Sequence, residues 1–217
     1  MTRYDKAVFF DFDGTITVRD NFMETIRRYA PDVYAEVVPE FLAGRETLRN
    51  GLKRILAAIP SVHLPEMIEI ATKFEHRTGL GDLLDYLDRI GAAALVVSSG
   101  LEAMVRASLG PLADRFVEIH AAVVEPDASH LIASSPFESE QELIAKAEVL
   151  KVFGARQNAV IGDSITDRLI AQLADHVFAR DRLIDYCTKD GVCFHPFESF
   201  IDVKKKLEEV WGDGQAF

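Results

Sequence analysis

Cysteine is scarce in this chain: only Cys187 and Cys193 occur, six residues apart. Two such residues build neither a disulfide framework nor a zinc site, and they read as reduced thiols. Long apolar runs are missing too. No stretch approaches the roughly 18 residues a bilayer-spanning helix needs. Met1 to Lys6 is polar where a signal peptide would be apolar. Positive charge is in deficit, with 24 basic against 35 acidic residues and a formal net charge of -11. That balance repels nucleic acid and anionic membrane, and no basic stripe interrupts it. The histidines His63, His76, His120, His130, His176 and His195 are scattered, with no pair at a ligand spacing. Repeats and low-complexity segments are absent. The expectation is a cytoplasmic protein without a nucleic-acid or membrane partner.

What is present is ordinary globular material: 217 residues, 48% hydrophobic and 27% charged. That suffices for one α/β domain, or for a core domain carrying an insert. Ala7 to Phe10 is a short continuous apolar run that ends in Asp11-Phe12-Asp13-Gly14-Thr15. Such a run suits a strand buried on both faces. Three more follow: Ala93 to Val97 before Ser98-Ser99-Gly100, Ala159 to Ile161 before Gly162-Asp163-Ser164, and Val177 to Ala179 before Arg180-Asp181. Helical patterns lie between them at Glu102 to Leu109, Ser139 to Phe153 and Thr166 to Ala174. Ser139 with Glu142 reads as a capping box, and Gly154 as a helix stop. Phe116 to Val124 reads as a strand with His130 to Ala133 as a short partner, and Pro196 to Trp211 ends in an amphipathic helix. Strand, polar loop and helix in alternation predict an α/β fold with a doubly wound, Rossmann-like parallel sheet. In such sheets ligands bind beyond the carboxyl ends of the strands.

Residues 18–77 break the alternation. Apolar residues recur there at helical spacing, and Pro31, Pro39, Gly44, Pro60 and Pro65 divide the segment into about four helices. The expected organisation is a core of residues 1–17 and 78–217, with 18–77 as a helical cap over the site.

The polar residues at the strand ends carry the chemistry. Asp11 and Asp13 stand two apart at a sharp turn made possible by Gly14. One carboxylate can attack as a nucleophile while the other protonates the leaving group and later activates water. Paired like charges call for a cation, and hard oxygen ligands suit magnesium. Asp163 and Asp167, four apart at another strand end, offer further carboxylates: Asp163 to the metal, and Asp167 one step behind or through water. The blander reading of that segment is a helix N-cap. Ser98 and Ser99 offer hydroxyls and amides for a phosphate, though a capping serine looks the same. A lysine should neutralise the transferring phosphoryl group. Lys146 and Lys151 are the candidates, and Lys146 is preferred because it stands nearer the helix start.

Taken together, these residues resemble the haloacid dehalogenase superfamily of phosphatases. The motifs are Asp11-Phe12-Asp13-Gly14-Thr15-Ile16-Thr17, then Ser98, then Lys146, then Gly162-Asp163-Ser164 with Asp167. The resemblance implies Asp11 as nucleophile and Asp13 as general acid/base. It also implies Mg2+ held by Asp11, the Asp13 carbonyl and Asp163, and a small phosphate ester as substrate. The early insert looks like that of the phosphoserine phosphatase group. Within it the chain is similar to the 2-hydroxy-3-keto-5-methylthiopentenyl-1-phosphate phosphatases of methionine salvage. The stretches responsible are Asp11 to Asn21, Arg54 to Pro60 and Phe178 to Leu183. Asp20 and Arg54 are the cap residues this likeness assigns to substrate. The segment before Lys146 departs from it, lacking a cysteine cluster. Phosphoserine as substrate, and a phosphotransferase or mutase on the same chemistry, are the alternatives. A non-enzymatic binding protein would have lost one of the carboxylates or the lysine, and all are present.

Overall fold

β1 (Lys6–Phe10) sits at the centre of the molecule because every second residue has an apolar partner on each side. Ala7 and Phe9 pack with Val149, Leu150 and Val160 on one face. Val8 and Phe10 pack with Leu83, Phe116 and Phe200 on the other. The computed structural model describes residues 4–125 and 128–212, so residues 1–3 of the polar N-terminal stretch lie outside the described residues. The remaining strands are β2 (Ala93–Leu101), β3 (Glu118–Val124), β4 (Ala133–Ser134), β5 (Gln157–Gly162), β6 (His176–Ala179) and β7 (His195–Pro196). They form one sheet in the order β4-β3-β2-β1-β5-β6-β7. Every pairing is parallel except β3 with β4. β2 and β5 flank β1 on opposite sides, so the crevice at the strand order's reversal opens beyond Phe10.

Between β1 and the next core helix lie four helices: α1 (Asn21–Tyr29), α2 (Pro31–Leu42), α3 (Leu48–Ala57) and α4 (Leu64–Ala71). Asp20 caps α1 by accepting from Met23 N–H at 3.0 Å, and Thr47 caps α3 by accepting from Asn50 N–H at 3.1 Å. Pro31 occupies the first turn of α2, where a missing N–H costs nothing. Ile26, Leu52, Ile55, Leu56 and Met67 form an apolar interior continuous with Leu101, Met104 and Leu143. The two ends of the insert are zipped together by Val18 N–H to Glu75 O at 2.9 Å and Arg77 N–H to Ile16 O at 2.8 Å. The other helices are α5 (Leu80–Arg89), α6 (Glu102–Leu109), α7 (Lys146–Phe153), α8 (Arg168–Ala171), α9 (Asp181–Asp190) and α10 (Phe200–Trp211). α5 and α9 are additions to the elements read from sequence. Among the described residues, no helix is long and apolar enough to cross a membrane.

Four local expectations change. The helix read over Ser139 to Phe153 begins only at Lys146. Ser139 Oγ does accept from Glu142 N–H, at 3.0 Å, but it closes a turn rather than opening a helix. Leu143 then joins the insert's interior while Ile144 joins the opposite sheet face. Consecutive residues buried on opposite sides require extended chain. Thr166 to Ala174 contains only a 3-10 turn, Ile165–Asp167, and the single-turn α8. Finally, Ser98-Ser99-Gly100 lies inside β2 as a bulge: Val97 pairs with His120, but Leu101 pairs with Ala122. Of the His130 to Ala133 segment, only Ala133 enters a strand beside β3, while His130 bridges to Pro60 of the insert.

Candidate active site

The site starts where β1 ends. Asp11 N–H donates to Ile161 O at 2.9 Å, which holds its backbone against β5. The chain then makes one wide turn closed by Thr17 N–H to Phe12 O at 2.9 Å, with Gly14 at φ 82°. A side chain at Gly14 would collide with the Asp163 carboxylate. Glycine is needed there for both backbone conformation and space.

Lys146 is the first residue of α7 and only 2% exposed. Its Nζ donates to Asp11 Oδ1 at 2.5 Å and to Asp167 Oδ1 at 2.7 Å. The other Asp167 oxygen accepts from the N–H groups of Asp163 and Ser164, both at 3.1 Å. A side chain at Gly162 would overlap the Asp167 carboxyl group. Both Asp167 oxygens are thus engaged by the protein. Its part within the protein is to aim Lys146 and hold the Asp163 turn.

Asp163 itself accepts from Thr15 Oγ1 at 3.4 Å. Asp11, Asp163 and Asp167 each offer an oxygen within 4.8 Å of the others. Asp13 Oδ1 accepts from Phe22 N–H of α1 at 3.0 Å, so the first helix of the insert orients it. Gly100 closes over the same spot: a Cβ there would stand 3.3 Å from Asp13 Oδ2, from the Phe22 ring and from Ser98 Oγ. Ser98 is buried, and its Oγ accepts from Gly100 N–H at 3.0 Å. Ser99, half-buried, is the middle residue of the bulge.

Four carboxylates therefore face one ammonium. Burial alone would lower the Lys146 pKa, but the Asp11 and Asp167 charges outweigh it and hold the ammonium above the ordinary lysine range. Burial, reinforced by Asp20 and Asp11, pushes Asp13 well above the usual carboxylate range. Burial and the adjacent Asp11 and Asp167 charges raise Asp163 as well. Oxygen-rich, net-negative and partly buried, the Asp11, Asp163 and Asp167 cluster is compatible with a metal site.

A family model for haloacid dehalogenase-like hydrolases matches residues 6–175, which contain every residue just described. The chain belongs to that family. A 2-hydroxy-3-keto-5-methylthiopentenyl-1-phosphate phosphatase of Microcystis aeruginosa (strain NIES-843 / IAM M-2473) is 34% identical over 204 residues, 93% of this chain and 97% of that protein. A phosphatase of the same name from Bacillus thuringiensis subsp. konkukian (strain 97-27) is 29% identical over 211 residues, 94% of this chain and 96% of that protein. Among solved structures, a phospho-aspartyl intermediate analogue of phosphoserine phosphatase shares the fold with a TM-score of 0.69 at 18% identity, covering 95% of this chain and 99% of that one. Phosphoserine phosphatase from T. onnurineus in complex with NDSB-201 matches with a TM-score of 0.72 at 16% identity, covering 95% and 96%.

As a haloacid dehalogenase-like phosphatase the chain brings Asp11, Asp13, Ser98, Lys146, Asp163 and Asp167 to one end of the sheet. Asp20 lies close enough to Asp13 to raise it. Two candidates fall elsewhere. Lys151 points away on α7 and pairs with exposed Glu148 at 2.7 Å. Arg54 is the other. It sits exposed on α3, held by Glu36 at 2.6 Å and Glu46 at 3.3 Å. The α3 face that turns inward is Leu52, Ile55 and Leu56. Two residues escaped the sequence reading. Glu142 is half-buried near Lys146, and its carboxyl is raised by burial against the pull of that ammonium. Arg77 is buried against the turn that carries Asp13 and Gly14. Its partners are backbone carbonyls, which leave no mark in a sequence.

Proposed function

We propose that this phosphatase hydrolyses a small phosphorylated metabolite through an aspartyl-phosphate on Asp11, with Mg2+ as cofactor. The observation that carries this is the buried Lys146 ammonium clamped between Asp11 and Asp167 beside the Asp163 carboxylate. Asp11 and Asp163 would hold the cation with the Asp13 carbonyl. When bound, it would offset the charge of the phosphoryl oxygens and the carboxylates. Asp11 attacks phosphorus, and the bond to the ester oxygen breaks. Asp13, whose raised pKa favours the protonated form, gives its proton to that oxygen. Asp13 then takes a proton from water as the water oxygen attacks phosphorus, and Asp11 is released with inorganic phosphate. Lys146 stays fixed on Asp11 and neutralises charge building on the phosphoryl group. Ser98 lies within the cluster around Gly100 and Asp13, where a phosphoryl oxygen would accept its hydroxyl proton.

For the substrate, we favour an uncharged keto-sugar phosphate such as 2-hydroxy-3-keto-5-methylthiopentenyl-1-phosphate over phosphoserine. A phosphoserine site must pair a carboxylate, since burying that charge alone is costly. Arg54 is bound to Glu36 and Glu46. Arg49 lies 3.4 Å from Glu138 and donates to Ser139 O at 3.1 Å. A substrate carboxylate would have to compete with these carboxylates for either guanidinium. The names of the relatives at 34% and 29% identity point the same way. The test is kcat/KM for both substrates on one Mg2+-loaded preparation, with acid quenching to trap phosphate on Asp11. A preference for the keto-sugar phosphate, with label on Asp11 and none on Asp11→Asn, is expected. A higher kcat/KM for phosphoserine overturns the substrate reading, and full turnover by Asp11→Asn overturns the nucleophile.

A further inference from the structure

Arg77 is the residue at which the chain leaves the insert, and it is only 7% exposed. The carboxylates of Asp181, Asp163 and Glu198 act on its charge through space. Its guanidinium is spent on backbone carbonyls: Nε donates to Thr15 O at 2.9 Å, and Nη2 to Gly14 O at 2.7 Å and Thr17 O at 3.4 Å. Nη1 reaches Glu198 O at 3.2 Å, just before α10. The Phe197 ring lies 5.9 Å from its guanidinium carbon. Its own N–H donates to Ile16 O at 2.8 Å. A buried guanidinium is expensive unless its donors are satisfied, and these carbonyls satisfy them. The arrangement also works in reverse. A carbonyl's direction fixes the plane of its peptide, so one side chain sets three peptide planes of the turn that carries Asp13. The turn's ends contact the insert through Thr17 and its middle contacts Asp163 through Gly14.

We propose that Arg77 is a positioning residue for catalysis, using its fork of donors to set the Asp13–Gly14 turn from the exit of the insert. The proposal rests on the phosphatase mechanism above. It assigns to Arg77 the placement of the Asp13 carboxyl group and of the Asp13 carbonyl toward the cation. A lysine at 77 keeps the charge and can reach one carbonyl, but it cannot hold two peptide planes at once. A methionine keeps the stem alone.

The experiment compares wild type, Arg77→Lys and Arg77→Met with p-nitrophenyl phosphate as probe. It measures kcat, KM, the Mg2+ half-saturation, and the rise in Tm produced by Mg2+ without substrate. In Arg77→Lys kcat should fall by about tenfold or more with KM within about twofold, as for loss of orientation rather than binding. Its Mg2+ half-saturation should rise severalfold and its Mg2+-induced Tm shift should shrink. Arg77→Met should fall further on every measure. A folded Arg77→Lys with wild-type kcat and Mg2+ response overturns the proposal. So does failure of both variants to fold, which would make Arg77 a folding residue. Wild-type inactivity on every ester would strike the phosphatase mechanism instead. The substrate-free Tm comparison would still judge Arg77.

Discussion

Replacing Lys146 by methionine tests the centre of the site, because the side chain nearly keeps its volume and loses its charge with the donors that carry it. In the native protein Nζ lies 2.5 Å from Asp11 and 2.7 Å from Asp167, with exposures of 2%, 7% and 1% for the three side chains. Removing one partner of a buried ion pair costs about 3–5 kcal/mol, because the other charge stays buried and unpaired. Here two carboxylates are orphaned together, with Asp163 beside them, so the upper part of that range applies to Mg2+-free protein at neutral pH. Protonation of one carboxylate or binding of a divalent cation should restore part of the loss. Urea unfolding at pH 7, with and without Mg2+, reads both numbers. Turnover should fall by roughly a hundredfold or more, as for loss of a preorganised charge at the transition state. Lys151→Ala is the control. Lys151 pairs with Glu148, both side chains being 54% exposed, so its loss should stay within about 0.5 kcal/mol. A Lys146→Met protein as stable as wild type in Mg2+-free buffer would refute the electrostatic argument. A turnover within a few-fold of wild type would remove Lys146 from the mechanism.

Gly14→Ala should lose about 1–2 kcal/mol from the φ of 82° alone. Because the new methyl strikes Asp163, the Mg2+-induced rise in Tm should shrink as well, and an unchanged Mg2+ titration would show that the turn has slack. Asp190 tests a pair remote from the site: Arg168, then Gln172, hold its carboxyl down at about 2, below the ordinary value of 3.8. A carboxyl depressed on folding stabilises above its unfolded pKa and loses that contribution as pH falls through the folded one. Asp190→Asn should therefore be less stable than wild type at pH 5 to 7, with the gap closing between about pH 4 and pH 2. A gap independent of pH would assign the effect to packing.

The parts of the site that could be read from sequence are those whose chemistry is local. Asp11 and Asp13 are carried by one turn, and Asp163 and Asp167 by another, so a few consecutive residues announce each pair. The parallel strands announce themselves because a strand buried on both faces must be apolar throughout, as Ala7 to Phe10 is. The helices of the insert follow from periodicity for the same local reason. Legibility ends where distant elements decide. The chain from Ser139 to Ala145 has the apolar content of a helix. Yet Leu143 belongs to the insert's interior and Ile144 to the far face of the sheet, and only the assembled layers can demand opposite directions of adjacent residues. The consequence is functional: with the helix starting at Lys146 rather than at Ser139, the ammonium emerges at a helix terminus beside the strand ends. Arg54 shows the converse. Its spacing on α3 fits an inward residue as well as an outward one until Glu36, 18 residues earlier in the chain, and Glu46 claim the guanidinium on the outer surface. Arg77 is the limiting case. An arginine that binds carbonyls of Gly14, Thr15 and Glu198 has partners with no side-chain identity at all. No residue pattern could have nominated it, and only the placement of the turn against the exit of the insert reveals what it holds.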